Sequence, residues 1–286
     1  MTTSYEPFIG SEALARRVLN RHQLRSRYRA LYPNVYLAKD VQPTLSQRTT
    51  AAWMWSGRQG VVAGLAAAAM HGAKWIDDDT PIELIHQNPR APAGLITRRV
   101  TLLDGECEAR GAMACTTPTR TAFDIGRRGR LGVAVARLDA LARATGITVG
   151  AVAELAARHP GSPGLRQLET ALARVDAGAQ SPRETRLRLL LIRAGLPAPK
   201  TQIPVQTADG MTIAYLDMGW EDLMVAVEYD GDQHRTDRAQ YVKDIRRIEL
   251  LERLGWIVVR VVAEDRPADI IRRVRDAIAR RPLNVH

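Results

Sequence analysis

The apolar and polar positions along the chain predict mostly short elements in its first part and longer, mixed ones in its second. Two short helices are expected first, Glu12–Leu19 with Ser11 as N-cap and Arg21–Ala30, followed by a β-like stretch from Leu31 to Ala38. Helices over Leu45–Trp55 and Val61–His71 follow, separated by Gly57 and Gly60, and their alanines suit close helix approach. Ile82–Ile85 and Val100–Leu103 read as strands, and Asn88–Gly94 as a loop. Thr116-Thr117-Pro118 caps a helix reaching about Arg127, with proline in its first turn. Leu131–Arg143, Val149–Arg158 and Leu165–Val175 read as three more helices.

The small, polar run from Asp176 to Pro182 is the best boundary, giving expected domains of 1–176 and 181–286. The second domain predicts a helix from Ser181, with Pro182 at its first position, to about Ala194, where Gly195 ends it. Strands Gln202–Thr207 and Met211–Met218 are joined by Asp209-Gly210, a hairpin signal. Leu223–Asp230 is the third strand, after a turn expected at Gly219–Asp222. A long helix over Thr236–Leu254, an apolar strand Trp256–Val262 and a helix Ala268–Arg280 complete it. The fold class expected is therefore α+β for the first domain, with a winged-helix-like start at about 10–40. For the second it is α/β: a helix, a mixed sheet of about four strands, then helices.

With 286 residues, 45% hydrophobic and 25% charged, the composition is that of an ordinary globular chain able to build real cores. No apolar run approaches the ~18 residues of a membrane span, so neither a signal peptide nor a membrane partner is expected. Cys107 and Cys115 stand without companions at metal-ligand spacing and read as free thiols in a reducing, cytoplasmic setting. The net charge of +10 is unevenly spread: residues 1–180 carry 23 basic and 15 acidic residues, the remainder 18 and 16. Such a field attracts polyanions, although 37 of the 41 basic residues are arginine, which also fits a compositional bias. From Ala13 to Lys39 there is no acidic residue, and Arg16, Arg17, Arg21, Arg25 and Arg27 are candidate contacts to DNA phosphates.

The stretch Tyr215–His234 carries the candidate chemistry. Carboxylates are poor strand formers and costly near a core unless paired or bound to metal. Alternation with Val225, Val227 and Tyr229 sends Glu228 and Asp230 to one face. If the strands pair about the expected turn, Asp217 lies opposite or diagonal to 226 and 228. Converging carboxylates of this kind hold a hard divalent cation, Mg2+ or Mn2+.

The order of elements, together with Glu184, Gln202, Asp217, the run Val227-Glu-Tyr-Asp-Gly231, His234, Asp244, Arg247, Gly255-Trp256 and Arg260, resembles the PD-(D/E)xK nuclease superfamily. More closely it resembles a bacterial domain related to Vsr-type endonucleases, over nearly all of 181–286. That resemblance implies a metal site of Asp217 and Glu228, with Glu184 as an accessory ligand or water orienter. Asp230 is a further ligand or an orienter of His234, and His234 a general base or phosphate donor. Arg247 either clamps a phosphate or pairs with Asp244. The superfamily pattern has lysine two residues after its acidic ligand, where this chain has Asp230. Either His234 or a relocated group takes the lysine's part, or the site is inactive.

The first domain resembles AbiEi-type antitoxins, winged-helix autoregulators, in its basic opening unit, Pro33-Asn-Val-Tyr36, Met70-His-Gly72 and Thr116–Asp124. The expected function is a metal-dependent DNA endonuclease positioned by a basic first domain. The alternative is a non-catalytic DNA-binding regulator or antitoxin with a degenerate nuclease fold, for which a protein partner is expected. A homodimer is compatible with either.

Overall fold

Side-chain capping sets where several helices begin. Asn20, Thr44, Thr117, Thr148 and Ser181 each accept a hydrogen bond from the backbone N–H three residues on, and Asn20 and Thr44 complete reciprocal capping boxes with Gln23 and Gln47. A computed structural model of the protein describes residues 5–207, 210–230 and 238–281, with 238–245 described for their helical backbone alone. The chain divides into two units, Met1–Ala173 and Arg174–His286, each α+β with mixed or antiparallel sheets. No single helix among the described residues is long and apolar enough to cross a membrane.

The first unit opens with β1 (Phe8–Ile9), α1 (Gly10–Ala15), α2 (Arg21–Arg27), β2 (Tyr28–Tyr32) and β3 (Val35–Ala38), the strands forming an antiparallel sheet in the order β1-β3-β2. Two details differ from the sequence expectation. Ser11 is not an N-cap: α1 starts at Gly10, two residues before the expected Glu12, and Asn34 holds Ser11 through its N–H at 3.0 Å and its hydroxyl at 2.8 Å. The second helix stops at Arg27 because Tyr28 is drawn into the sheet, buried opposite Ala38 and edge-on to Phe8. Burial of an aromatic residue outweighs the small local preference for continuing the helix.

A five-stranded sheet follows, built from β4 (Val61–Ala63), β5 (Ile82–Ile85), β6 (Leu95–Arg98), β7 (Cys107–Arg110) and β8 (Met113–Thr116) in the order β6-β5-β4-β8-β7. Around it lie α3 (Leu45–Trp55), α4 (Gly64–Met70), α5 (Pro118–Gly126), α6 (Leu131–Thr145), α7 (Val149–Ala157) and α8 (Leu165–Leu172). Val61–Ala63, expected as the start of a helix, is instead a sheet strand buried between β5 and β8. Val100–Leu103 forms no strand, whereas three other short segments do.

The second unit runs α9 (Pro182–Arg193), β9 (Lys200–Gln206), β10 (Thr212–Trp220), β11 (Val225–Tyr229), α10 (Arg238–Arg253), β12 (Ile257–Val261) and α11 (Pro267–Ala279). Its sheet has the order β12-β11-β10-β9. β11 and β12 are parallel across the α10 crossover, and the other pairs are antiparallel. Leu187 and Leu191 of α9 and Ile270 and Val274 of α11 pack with Met218, Val225, Val227, Val259 and Val261 in one apolar cluster. Leu251 of α10 packs with Ile203, Val205, Leu216, Ala226 and Trp256 in another.

Candidate functional site

The pairing of β10 with β11 positions the central acids. Met218 faces Val227, Gly219 faces Ala226 and Trp220 faces Val225, so one step along the same register Asp217 stands opposite Glu228. Gly219 permits this approach: a Cβ there would lie 2.3 Å from the Val225 carbonyl oxygen and 2.9 Å from Ala226 Cα. The expected turn at Gly219–Asp222 begins later, because β10 continues through Trp220 and a 3-10 turn over Glu221–Leu223 closes at Met224, with φ of 50°.

Asp217 accepts a hydrogen bond at 2.9 Å from the Tyr229 backbone N–H through Oδ2. Burial pushes its carboxyl up to about 7 against the pull of that hydrogen bond. The negative charges of Glu184 and Glu228 push the same way, and Arg247 opposes them. Glu228 is buried, and both of its oxygens are engaged by Arg247, at 2.9 Å to Oε2 and 2.6 Å to Oε1. Arg247 Nη2 also donates to the Tyr215 carbonyl at 2.7 Å. Arg247 is thus a bidentate, charge-assisted partner of Glu228, while Asp244, the partner expected for it from sequence, has its side chain outside the described residues.

Glu184 sits in the first turn of α9, buried. Its Oε1 accepts from the Ser181 hydroxyl at 2.9 Å and its Oε2 from the Gln180 N–H at 2.8 Å, so the cap that starts the helix also orients the acid. Gln180 Nε2 in turn donates to Gln202 Oε1 at 2.5 Å. Gln202 holds φ of 51°, a left-handed conformation rare for a residue with a Cβ. Gln202, one of the residues that carry the nuclease resemblance, is thus linked to Glu184 through Gln180, which the sequence reading did not single out.

Asp230 is paired with Arg260, while its N–H donates to the Val261 carbonyl at 2.8 Å. His234 lies outside the described residues, as does the side chain of Asp244. Among the described residues no group of three or more His, Cys, Asp and Glu is arranged to hold a metal ion. What converges is the pair Asp217 and Glu228, with Glu184 near enough to raise the Asp217 carboxyl. Exposed Arg183 lies over the Tyr229 ring, 5.3 Å from its centroid, and donates to its hydroxyl at 3.3 Å. It adds an accessible cation next to Glu184 that sequence reasoning passed over, because one arginine among 37 carries no signal.

In the first unit Arg16, Arg17, Arg21, Arg25 and Arg27 are all exposed, the last three on α2. Among nearby charges, Glu12 is held by Arg58 at 2.7 and 2.9 Å.

No family model matches the chain, and no solved structure matches it. Two curated proteins from Mycobacterium tuberculosis are similar to it: "Uncharacterized protein Rv2248" from strain H37Rv and "Uncharacterized protein MT2308" from strain CDC 1551. Each is 27% identical over 235 residues, covering 81% of this chain and 84% of the relative.

Proposed function

We propose that the second unit is a metal-dependent endonuclease domain and that the basic first unit supplies its affinity for DNA. The observation carrying this reading is the pair Asp217 and Glu228 on adjacent strands, with Glu184 close by and the Asp217 carboxyl pushed up to about 7. Acids gathered at such cost suit a bound cation, which would relieve their repulsion. Magnesium commonly takes only one or two protein carboxylates and completes its shell with water and substrate phosphate. The two acids therefore fit Mg2+ or Mn2+ without a third ligand. Asp217 and Glu228 would hold the ion, which when bound supplies an activated water and neutralises charge growing on the phosphate. Glu184, fixed by Ser181 and Gln180, would orient water, and Arg183 would donate to a phosphate oxygen. Arg247 pairs with Glu228.

The strand order, with a helix before the sheet and a helical crossover between β11 and β12, supports the nuclease-like reading of this unit. Helices α1 and α2 followed by the β2–β3 hairpin support a winged-helix-like reading of residues 10–40, with the exposed arginines towards DNA phosphates.

A second reading, a DNA-binding regulator with a silent centre, is favoured by two observations. Asp230 stands where the superfamily has lysine, and Arg247 covers both oxygens of Glu228. Incubating supercoiled plasmid with the protein and Mg2+ or Mn2+ separates the two. The endonuclease nicks DNA, and Asp217→Ala and Glu228→Ala each abolish nicking while duplex binding persists. Binding without cleavage under either cation decides for the regulator.

A further inference from the structure

In the pairing of β9 with β10, Ile203 faces Leu216 and Thr201 faces Met218, so Gln202 stands level with Asp217. On the other side of Asp217, across β11, the register places Glu228 at the same level. Gln202, Asp217 and Glu228 therefore form one row across three strands. We infer that Gln202 is a positioning residue of this centre, holding Glu184 in place near Asp217 through Gln180. The inference rests on the endonuclease reading of the unit.

The backbone gives the first reason. Gln202 has φ of 51°, and among the described residues with a Cβ it is the one left-handed residue that lies inside a strand. Such a conformation costs stability when a Cβ is present, and glycine would adopt it at less cost. Glutamine at this position is explained by its side chain. Its Oε1 accepts from Gln180 Nε2 at 2.5 Å, and the Gln180 backbone N–H donates to Glu184 Oε2 at 2.8 Å. One residue earlier, the Thr201 hydroxyl donates to Asp176 Oδ1 at 2.9 Å, which also accepts from the Gly178 N–H at 2.8 Å. Gly178 permits that approach, since a Cβ there would lie 1.9 Å from Thr201 Oγ1. The segment leading into α9 is thus tied to β9 at two successive residues, one of them the link to Glu184.

Charge gives the second reason. Glu184 and Glu228 already repel the negative charge of Asp217. A carboxylate at 202 would add to that repulsion, and a lysine or arginine would compete with a cation for the acids. A neutral carboxamide braces Glu184 without either effect. Partners of this kind set how firmly an acid, and the water it holds, meets a metal ion. Losing one commonly lowers metal affinity by about 10-fold to 100-fold.

Calorimetric titration of the full-length protein with Mn2+, alongside urea unfolding, tests this. Gln202→Met keeps the length and the Cβ of the side chain and removes the acceptor. Gln202→Gly removes the acceptor and the left-handed strain together. Mn2+ affinity is expected to fall about 10-fold in both, while Gln202→Gly unfolds at a urea concentration no lower than the wild type. Because glycine suits the turn, that variant remains informative even if Gln202→Met does not fold. Wild-type Mn2+ affinity in either folded variant overturns the inference. So does a Gln202→Gly midpoint clearly below the wild type, which would make the left-handed residue a support of the fold alone. Both results leave the endonuclease reading standing, because the wild type still binds the ion. If the wild type shows no saturable Mn2+ binding up to about 10 mM, or binding that Asp217→Ala leaves intact, the metal-dependent reading falls and this inference falls with it.

Discussion

At neutral pH and without a cation, about half of the Asp217 carboxyls hold a proton, since burial and two neighbouring acids bring the group to about 7 from the ordinary 3.8. Between those values the folded state retains a proton that the unfolded chain has lost. Stability therefore falls as pH rises from about 4 to about 7 and stays level above that. Asp217→Asn removes the cost. In EDTA, urea unfolding should find the variant more stable than the wild type by about 4 kcal/mol at pH 8, with the difference gone near pH 4. Parallel stability curves would mean that Asp217 is solvated and that the acid cluster exerts no strain. Little of this was visible in the residues alone. Asp217, Glu228 and Glu184 stand out as acids among apolar neighbours, and that much is legible. That Glu228 belongs to Arg247 and Asp230 to Arg260 follows from α10 and β12 folding back on β11, which residue spacing does not reveal.

Where a hydroxyl cap is followed directly by proline, sequence and structure agree closely, whereas Ser11, a cap signal without proline, did not start its helix. Thr117-Pro118 and Ser181-Pro182 open helices at those positions because the hydroxyl cap and the proline act within a single turn. Ser181→Ala should cost about 1 kcal/mol in urea unfolding, and it also frees one oxygen of Glu184. Elements defined by their neighbours were harder to read. Val61–Ala63 is too short to separate by pattern from the alanine-rich helix after it, and pairing with β5 and β8 fixes it as a strand. The edge strand Cys107–Arg110 has little apolar alternation to betray it. In the second unit, register depends on a point contact, the absence of a Cβ at Gly219. Gly219→Ala should lose about 2 kcal/mol or more, as strand β10 is pushed off β11. Stability equal to the wild type would show that the two strands can separate without loss.

Across the whole molecule the excess positive charge belongs mainly to the first 180 residues, with 23 basic against 15 acidic. If that surface meets DNA, neutralising Arg16, Arg17, Arg25 and Arg27 together should weaken duplex binding. It should also flatten log K against log salt by up to about 3.6, close to one counterion for each of the four lost phosphate contacts. An unchanged slope would move the DNA surface elsewhere. Composition, charge asymmetry, the proline-led helix caps and the pairing of consecutive strands β9 and β10 are local or additive properties, and the chain determines them without knowledge of its fold. The same holds for the presence of acids in apolar strands. The partner of each acid and the link from the left-handed Gln202 through Gln180 to Glu184 were decided by tertiary structure. They depend on contacts between residues far apart in the chain, whose free energy is realised only when water is excluded and the strands lock in register.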